Sequence, residues 1–189
     1  VPPPPVEEVR LPTLLPHPSA LFTVGPAGLA LIKRFESLRL NAYPDPVGIW
    51  TIGYGAIRGL DGHPVTSSHP PLTGAQAEAL LRRDCNICVQ GVRRLVPVDL
   101  TQYEFDALCS FVFNLGSGAL QSSRLRQCIL RGDMDDAAEQ FNRWVFAGGR
   151  RLEGLVRRRK AESQLFDGYW AATLGKPPVT SQHQDGGVS

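Results

Sequence analysis

Glu36 and Asp45 stand nine residues apart within FESLRLNAYPDPVGIWTIGYG, Phe35 to Gly55, and the two carboxylates have different neighbours. Two-carboxylate chemistry on a glycosidic bond needs that contrast: one acid that keeps its proton near neutral pH, and one carboxylate that stays ionised. Glu36 follows Ile32 by four residues and Leu29 by seven, at the edge of an apolar stripe and in the last turns of a helix. Partial burial and the negative helix end both disfavour its ionised form, so Glu36 is expected to donate a proton. Asp45 lies between Pro44 and Pro46. The following proline biases it to extended backbone and leaves its carboxylate in a loop where water keeps it charged. A turn at Pro46 and Gly48 would fold Ile49 to Tyr54 back as a hairpin strand, so that Thr51 holds a water close to Asp45. Gly53 and Gly55 would let a bulky ligand approach that backbone. Taken singly, the same residues also read as a solvated helix glutamate, a turn aspartate and a strand threonine.

The elements that must position them follow from periodicity and caps. Pro26 suits a first helical position, and Leu31, Ile32, Phe35 and Leu38 recur at helical spacing, giving a helix from 26 to about 40. Thr73 with Gln76 is a capping-box pattern ahead of the stripe Ala77, Leu81, Cys85, Cys88, Val92 and Leu95. Thr101 with Glu104 repeats it before Phe105, Leu108, Cys109 and Val112, and Gly116 ends that helix. Ser122 or Ser123 begins another helix, closed by Gly132; Asp133 opens one through Trp144, stopped by Gly148 and Gly149; a last helix runs from about Glu153 to Phe166. The expected fold class is α+β: a small β-hairpin lobe beside the first helix, then five helices in a larger lobe, with a polymer-sized cleft between them.

A chain of 189 residues with 42% hydrophobic content is long enough for one domain with a substantial core. We divide it into a Pro-rich arm or linker at 1–23, a catalytic domain at 24–170 and a loose polar tail at 171–189. No apolar run is long enough for a membrane span, and the first residues lack the basic start and apolar centre of a secretory signal. Cys85 and Cys88 form a C-x-x-C, but both fall in an apolar helical stripe, and no second pair with matching spacing follows. The four cysteines are expected to be small buried hydrophobes, with no metal and no cofactor. The net charge is only +2, yet basic residues 143, 150, 151, 157, 158, 159 and 160 face Glu153 alone between Arg143 and Lys160. That run reads either as a solvated helical face or as an attraction for an anionic polymer. Without a recognition module or aromatic interleaving, no specific nucleic-acid partner is expected.

The string from Phe35 to Gly55 strongly resembles the start of the phage-type lysozymes (glycoside hydrolase family 24, the T4 and P21 endolysin family). LTGAQAEALLRRD, VPVDLTQYEFDALCSFVFNLGSGAL, SSRLRQCILRGDMDDAAEQFNRW and GGRRLEGLVRRRKAE are similar to later family blocks, so the resemblance covers about Val24 to Trp170 in order. It implies a lysozyme-like fold and cleavage of the β-1,4 bond between N-acetylmuramic acid and N-acetylglucosamine in peptidoglycan. Glu36 would be the general acid; Asp45 would stabilise oxocarbenium-like charge and, with Thr51, orient the attacking water. The family is generally regarded as inverting. Phe113, Ser123 and Gln140 fall near sugar-contacting positions of the family, although a core or capping role suits each equally. Ser37 replaces a Gly usual after the acid. Ala56 replaces a His that, in the T4-type member, pairs with an Asp equivalent to Asp84, so Asp84 should be either solvated or paired with an arginine.

Three functions compete at this point. An active muramidase used for phage lysis needs all three residues. A wall-binding or scaffolding module needs none, and a lytic transglycosylase needs one carboxylate and no water-holder. Retention of Glu36, Asp45 and Thr51 together favours the first. The partner is then the peptidoglycan glycan strand, and the enzyme is expected to act as a monomer. Pro, Glu and Arg near the start, and Pro26 within Ala20 to Ile32, do not suit the N-terminal signal-arrest segment of some family members. The expected location is the host cytoplasm until a separate permeabilising protein gives access to the wall, or else a virion.

Overall fold

Pro26 opens α1 (Pro26–Phe35), where its missing N–H costs nothing, and Leu29, Leu31 and Ile32 bury the inner face of that helix. The structure, a computed structural model, describes residues 18–45 and 47–169. Most of the expected arm (1–17) and the expected tail, together with Trp170, lie outside the described residues.

The helix stops at Phe35, several residues short of the expected end, because Arg39–Pro44 form strand β1 instead. β1 pairs antiparallel with β2 (Trp50–Gly53), with Tyr43 opposite Thr51 and Pro44 opposite Trp50. Leu38, which helical spacing placed on the buried face, is 46% exposed in the link between α1 and β1.

α2 (Gly74–Leu95) and α3 (Gln102–Leu115) start at the two capping boxes. The Thr73 and Thr101 hydroxyls accept from the amides of Gln76 and Glu104, whose side chains accept from the Thr amides. Each box satisfies two end donors that would otherwise lack partners. At 22 residues α2 is about 33 Å long. That length lets it serve two cores: Ala77 and Leu80 pack with Ile52, Ala56, Val65 and Leu72 of the small lobe, while Leu81 to Leu95 join the helical lobe.

Ser117–Ser122 form a short helix, α4, that periodicity did not show, since six residues are too few for a stripe. Ser123 caps α5 (Arg124–Arg131), and Gly132 closes it in the left-handed conformation at φ 80°. α6 (Met134–Gln140) passes into a 3₁₀ turn at Phe141–Arg143 rather than continuing to Trp144. Gly148 and Gly149 then turn a small hairpin between β3 (Phe146–Ala147) and β4 (Arg150–Arg151). α7 (Glu153–Phe166) matches its expected span.

α3 is the hub of the helical lobe, packed by α1, α2, α4 and α7. Phe111 stacks edge-on against Phe141 and Trp144, and Phe22 against Phe105. Ser19 donates to the Val98 carbonyl, and Arg93 to that of Phe22, so residues 18–23 of the expected arm rest against the helical lobe. The four cysteines are free and buried, and burial pushes the thiols of Cys85 and Cys88 up to about 12. Among the described residues, no helix is long and apolar enough to cross a membrane.

α1 carries the link that holds Glu36, and its seat on α3 is unusually close. Gly25 and Gly28 donate their amides to the two oxygens of buried Asp106, at 2.8 and 2.9 Å, and Gln102 adds a third bond at 2.8 Å. A Cβ on Gly28 would stand 2.8 Å from both Asp106 Cγ and Val24 Cγ1. Gly28→Ala should therefore push α1 off α3 and cost about 1–3 kcal/mol, read as a lower urea midpoint at unchanged slope. Burial pushes the Asp106 carboxyl above its ordinary value even against those three donors. Its contribution to stability is then greatest in acid and declines as pH rises through its folded value.

Candidate active site

Glu36 is the residue that caps the C-terminal end of α1, with extended backbone (φ −97°, ψ 132°), where the chain leaves the helix for the hairpin. It is therefore not on a helix face, as the apolar spacing suggested, but at a corner between the lobes. Its carboxylate has a partner that local pattern did not show. Arg158 of α7 donates from Nη1 to Glu36 Oε1 at 2.6 Å, with the arginine side chain 4% exposed and the glutamate 26%.

Arg158 is held in turn by Glu162 at 3.2 Å and by the Ser110 carbonyl at 3.3 Å. Glu162, with no exposed surface, also accepts from Ser110 Oγ at 2.7 Å and from Arg159 Nη2 at 2.9 Å. Arg159 reaches Asn114 Oδ1 at 3.0 Å. Burial pushes the Glu162 carboxyl up and the Arg159 guanidinium down, while the attraction between them opposes both effects. A buried chain of alternating charge thus ends on Glu36. The reading of 143–160 as one surface patch is corrected here: Arg158 and Arg159 are buried and paired, leaving Arg143, Arg150, Arg151, Arg157 and Lys160 outside. One signal was available, since Glu162 stands four residues after Arg158 and three after Arg159, among apolar Ala161, Leu165 and Phe166.

Asp45 sits in the β1–β2 turn, where its Oδ1 accepts from the amides of Val47 and Ile49 at 2.9 and 2.8 Å. Thr51, 5% exposed, donates its hydroxyl proton to the Ile49 carbonyl at 3.0 Å, and that carbonyl also accepts from the Asp45 amide at 2.9 Å. The backbone of Ile49 therefore ties Asp45 and Thr51 together. With its proton committed to Ile49, the Thr51 oxygen keeps only lone pairs for a ligand or water.

Two hollows meet at Glu36 and Asn114. One, of about 600 Å³, is lined by Arg34, Phe35, Leu152, Leu155, Arg157 and Arg158 among others. The other, of about 430 Å³, includes Tyr54, Asp84, Ile87, Phe113 and Ser117. Glu36 thus stands midway along a continuous cleft, while Asp45 and Thr51 line neither hollow and belong to the hairpin beside it. Phe113 is brought to the same hollow as Glu36. Ser123 and Gln140 are not. Ser123 caps α5, accepting from the Arg126 amide at 3.0 Å and donating to the Leu120 carbonyl at 2.7 Å. Gln140 is buried at the end of α6, and its Oε1 has no hydrogen-bond partner among the described residues. Asp84 pairs with Arg83 at 2.8 Å, and Arg83 also reaches the carbonyls of Arg58 and Gly59. Of the two states open for Asp84, the arginine pair is the one found.

The phage lysozyme family pattern matches residues 33–162, a span holding Glu36, Asp45, Thr51 and Arg158. The endolysin of Bacillus phage B103 is 44% identical over 147 residues, covering 77% of this chain and 54% of that protein. This chain therefore spans about half the length of that relative. Among solved structures, an endolysin from Escherichia coli O157:H7 phage FAHEc1 superposes with a TM-score of 0.70 at 37% identity, over 77% of this chain and 94% of that one. The muramidase domain of SpmX from Asticaccaulis excentricus does so with a TM-score of 0.66 at 37% identity, over 76% and 97%. With the lysozyme-like fold, the cleft and a family match over most of its length, the chain belongs to the phage lysozyme family.

Proposed function

We propose that this chain is a muramidase that hydrolyses the β-1,4 bond between N-acetylmuramic acid and N-acetylglucosamine in bacterial peptidoglycan, serving phage lysis of the host. The observation that carries the reading is the position of Glu36, a partly exposed carboxylic acid where two halves of an interlobe cleft meet. A sugar strand lying along the cleft would cross Glu36 at a glycosidic oxygen, which Glu36 protonates as the bond breaks.

Asp45 and Thr51 then serve the other face of the sugar. Asp45 Oδ1 takes two backbone amides, which fix the carboxyl group where it can answer the developing oxocarbenium charge. A water donating one proton to Asp45 and one to Thr51 presents its lone pair to the anomeric carbon. Bond cleavage leaves the former glycosidic oxygen protonated by Glu36, and the water loses its proton to Asp45 as it adds. The enzyme works as a monomer, made in the host cytoplasm and given access to the wall by a separate permeabilising protein, or carried on a virion. The endolysin and muramidase names of its relatives agree with this substrate.

Mass spectrometry of the fragments released from purified peptidoglycan tests the reading. Reducing ends are expected; anhydro ends would make the chain a lytic transglycosylase, and no fragments would make it a binding module. Asp45→Asn should slow release by roughly a hundredfold or more, since oriented charge at the reacting centre contributes on that order. Thr51→Ala should cost less, because water can still reach Asp45, and near-parent turnover in both variants would remove the hairpin from the mechanism.

A further inference from the structure

We propose that Arg34 and Arg157 bind carboxylates of the stem peptide, which places the peptide-bearing sugar in their half of the cleft and sets the polarity of the bound strand. The proposal rests on the muramidase reading above and deepens it.

The two halves of the cleft differ in charge. The larger hollow is lined by Arg34, Arg157 and Arg158, with Glu36 as its acid. Arg158 is already engaged by Glu36 and Glu162. Arg34 and Arg157 are exposed, and neither forms an ion pair with another described residue. The Arg34 guanidinium lies over the Phe35 ring at 5.8 Å. These two cations come from different elements, the last turn of α1 and the second turn of α7, and face one hollow of about 600 Å³. The smaller hollow has no lysine or arginine, and its acid Asp84 is paired with Arg83.

A strand crossing Glu36 therefore meets unpaired positive charge on one side only. In peptidoglycan the sugars alternate, and only every second one carries a peptide. The peptide carboxylates are the strong anions of the strand, and a guanidinium fork matches a carboxylate in geometry as well as in charge. Leu152 and Leu155 give the same hollow an apolar wall for the peptide's methyl groups. A strand threaded in the opposite direction would set the peptide-free sugar next to Glu36 on the arginine side and the adjacent peptide-bearing sugar on the side of Asp84.

The test compares the full chain with its Arg34→Gln/Arg157→Gln variant on purified peptidoglycan, before and after the wall carboxylates are amidated with ammonia and a carbodiimide. On the native wall the variant should lose about five- to tenfold in kcat/KM, as two exposed carboxylate pairs are worth. Amidation should cost the parent a similar factor and the variant almost nothing, the coupling expected of groups that touch. Equal sensitivity to amidation in parent and variant would overturn the proposal. So would an equal loss in Arg150→Gln/Arg151→Gln, whose arginines lie outside the hollow. Co-sedimentation of parent and variant with both walls reads the same coupling without turnover. A parent that releases no reducing ends would thus sink the muramidase reading, while binding still decides the role of the arginines.

Discussion

Glu36→Gln should abolish release of reducing ends from peptidoglycan, a loss of roughly a thousandfold or more, while the protein stays folded. The amide has almost the shape of the carboxylic acid, and its oxygen can still accept from Arg158 Nη1, now 2.6 Å away. What it lacks is an acidic proton for the leaving oxygen. The corner where α1 gives way to the hairpin should be undisturbed, since it depends on backbone bonds such as that from the Glu36 amide to the Ile32 carbonyl. Thermal unfolding within a few degrees of the parent, together with loss of turnover, is the expected pair of results. Near-parent turnover in the folded variant would take the acid role away from Glu36. Glu36→Asp separates chemistry from reach: the acid is kept but drawn back by one methylene, so partial activity is expected.

Glu162→Ala should produce the largest loss of stability, about 3–5 kcal/mol, against a total of roughly 5–15 kcal/mol for a domain of ordinary stability. Glu162 is the shared counter-ion of Arg158 and Arg159, which are 4% and 0% exposed. Removing it leaves two buried guanidiniums without their shared partner, Arg159 over the ring of Phe111 and Arg158 over that of Phe35. Activity should fall too, because Arg158 would lose one of the bonds that hold it against Glu36. Urea denaturation at matched pH gives the number, and a loss below about 1 kcal/mol would mean that water reaches the cluster after the change. Replacing Arg159 and Glu162 together by Met and Leu should recover part of the loss. That pair of changes removes a desolvation cost along with the interaction, and Arg158 keeps Glu36 as its partner.

Much of the fold was legible residue by residue. The capping boxes at Thr73 and Thr101, the left-handed Gly132, the stripe of α2 and the full span of α7 were all readable, because each depends on groups three or four residues apart. The hairpin was half legible. Pro46 and Gly48 marked its turn, but the start of its first strand was read as helix, since Leu38 keeps helical spacing with Phe35 and carried the helix on to about residue 40. Only pairing with β2 makes Arg39–Pro44 a strand. Ser123 caps α5 with its hydroxyl, the capping role that its place before a helix suggested beside the sugar-contacting one.

The sequence by itself put forward Glu36, Asp45 and Thr51 as the candidate chemistry, because they share one short stretch whose prolines and glycines favour a turn and which resembles the start of the phage-type lysozymes. It also determined the two-lobed plan, because caps and periodicity are local. Only the tertiary structure decided the setting of Glu36. Arg158 lies 122 residues away, and Asp106 reaches Gly28 across 78. Whether a basic run faces water or the core depends on which helix packs over it. In RRRK the central pair is buried because α3 covers that face of α7 and supplies Ser110 and Asn114 as partners. The outer Arg157 and Lys160 point elsewhere around the same helix, and only Arg157 comes to line the cleft.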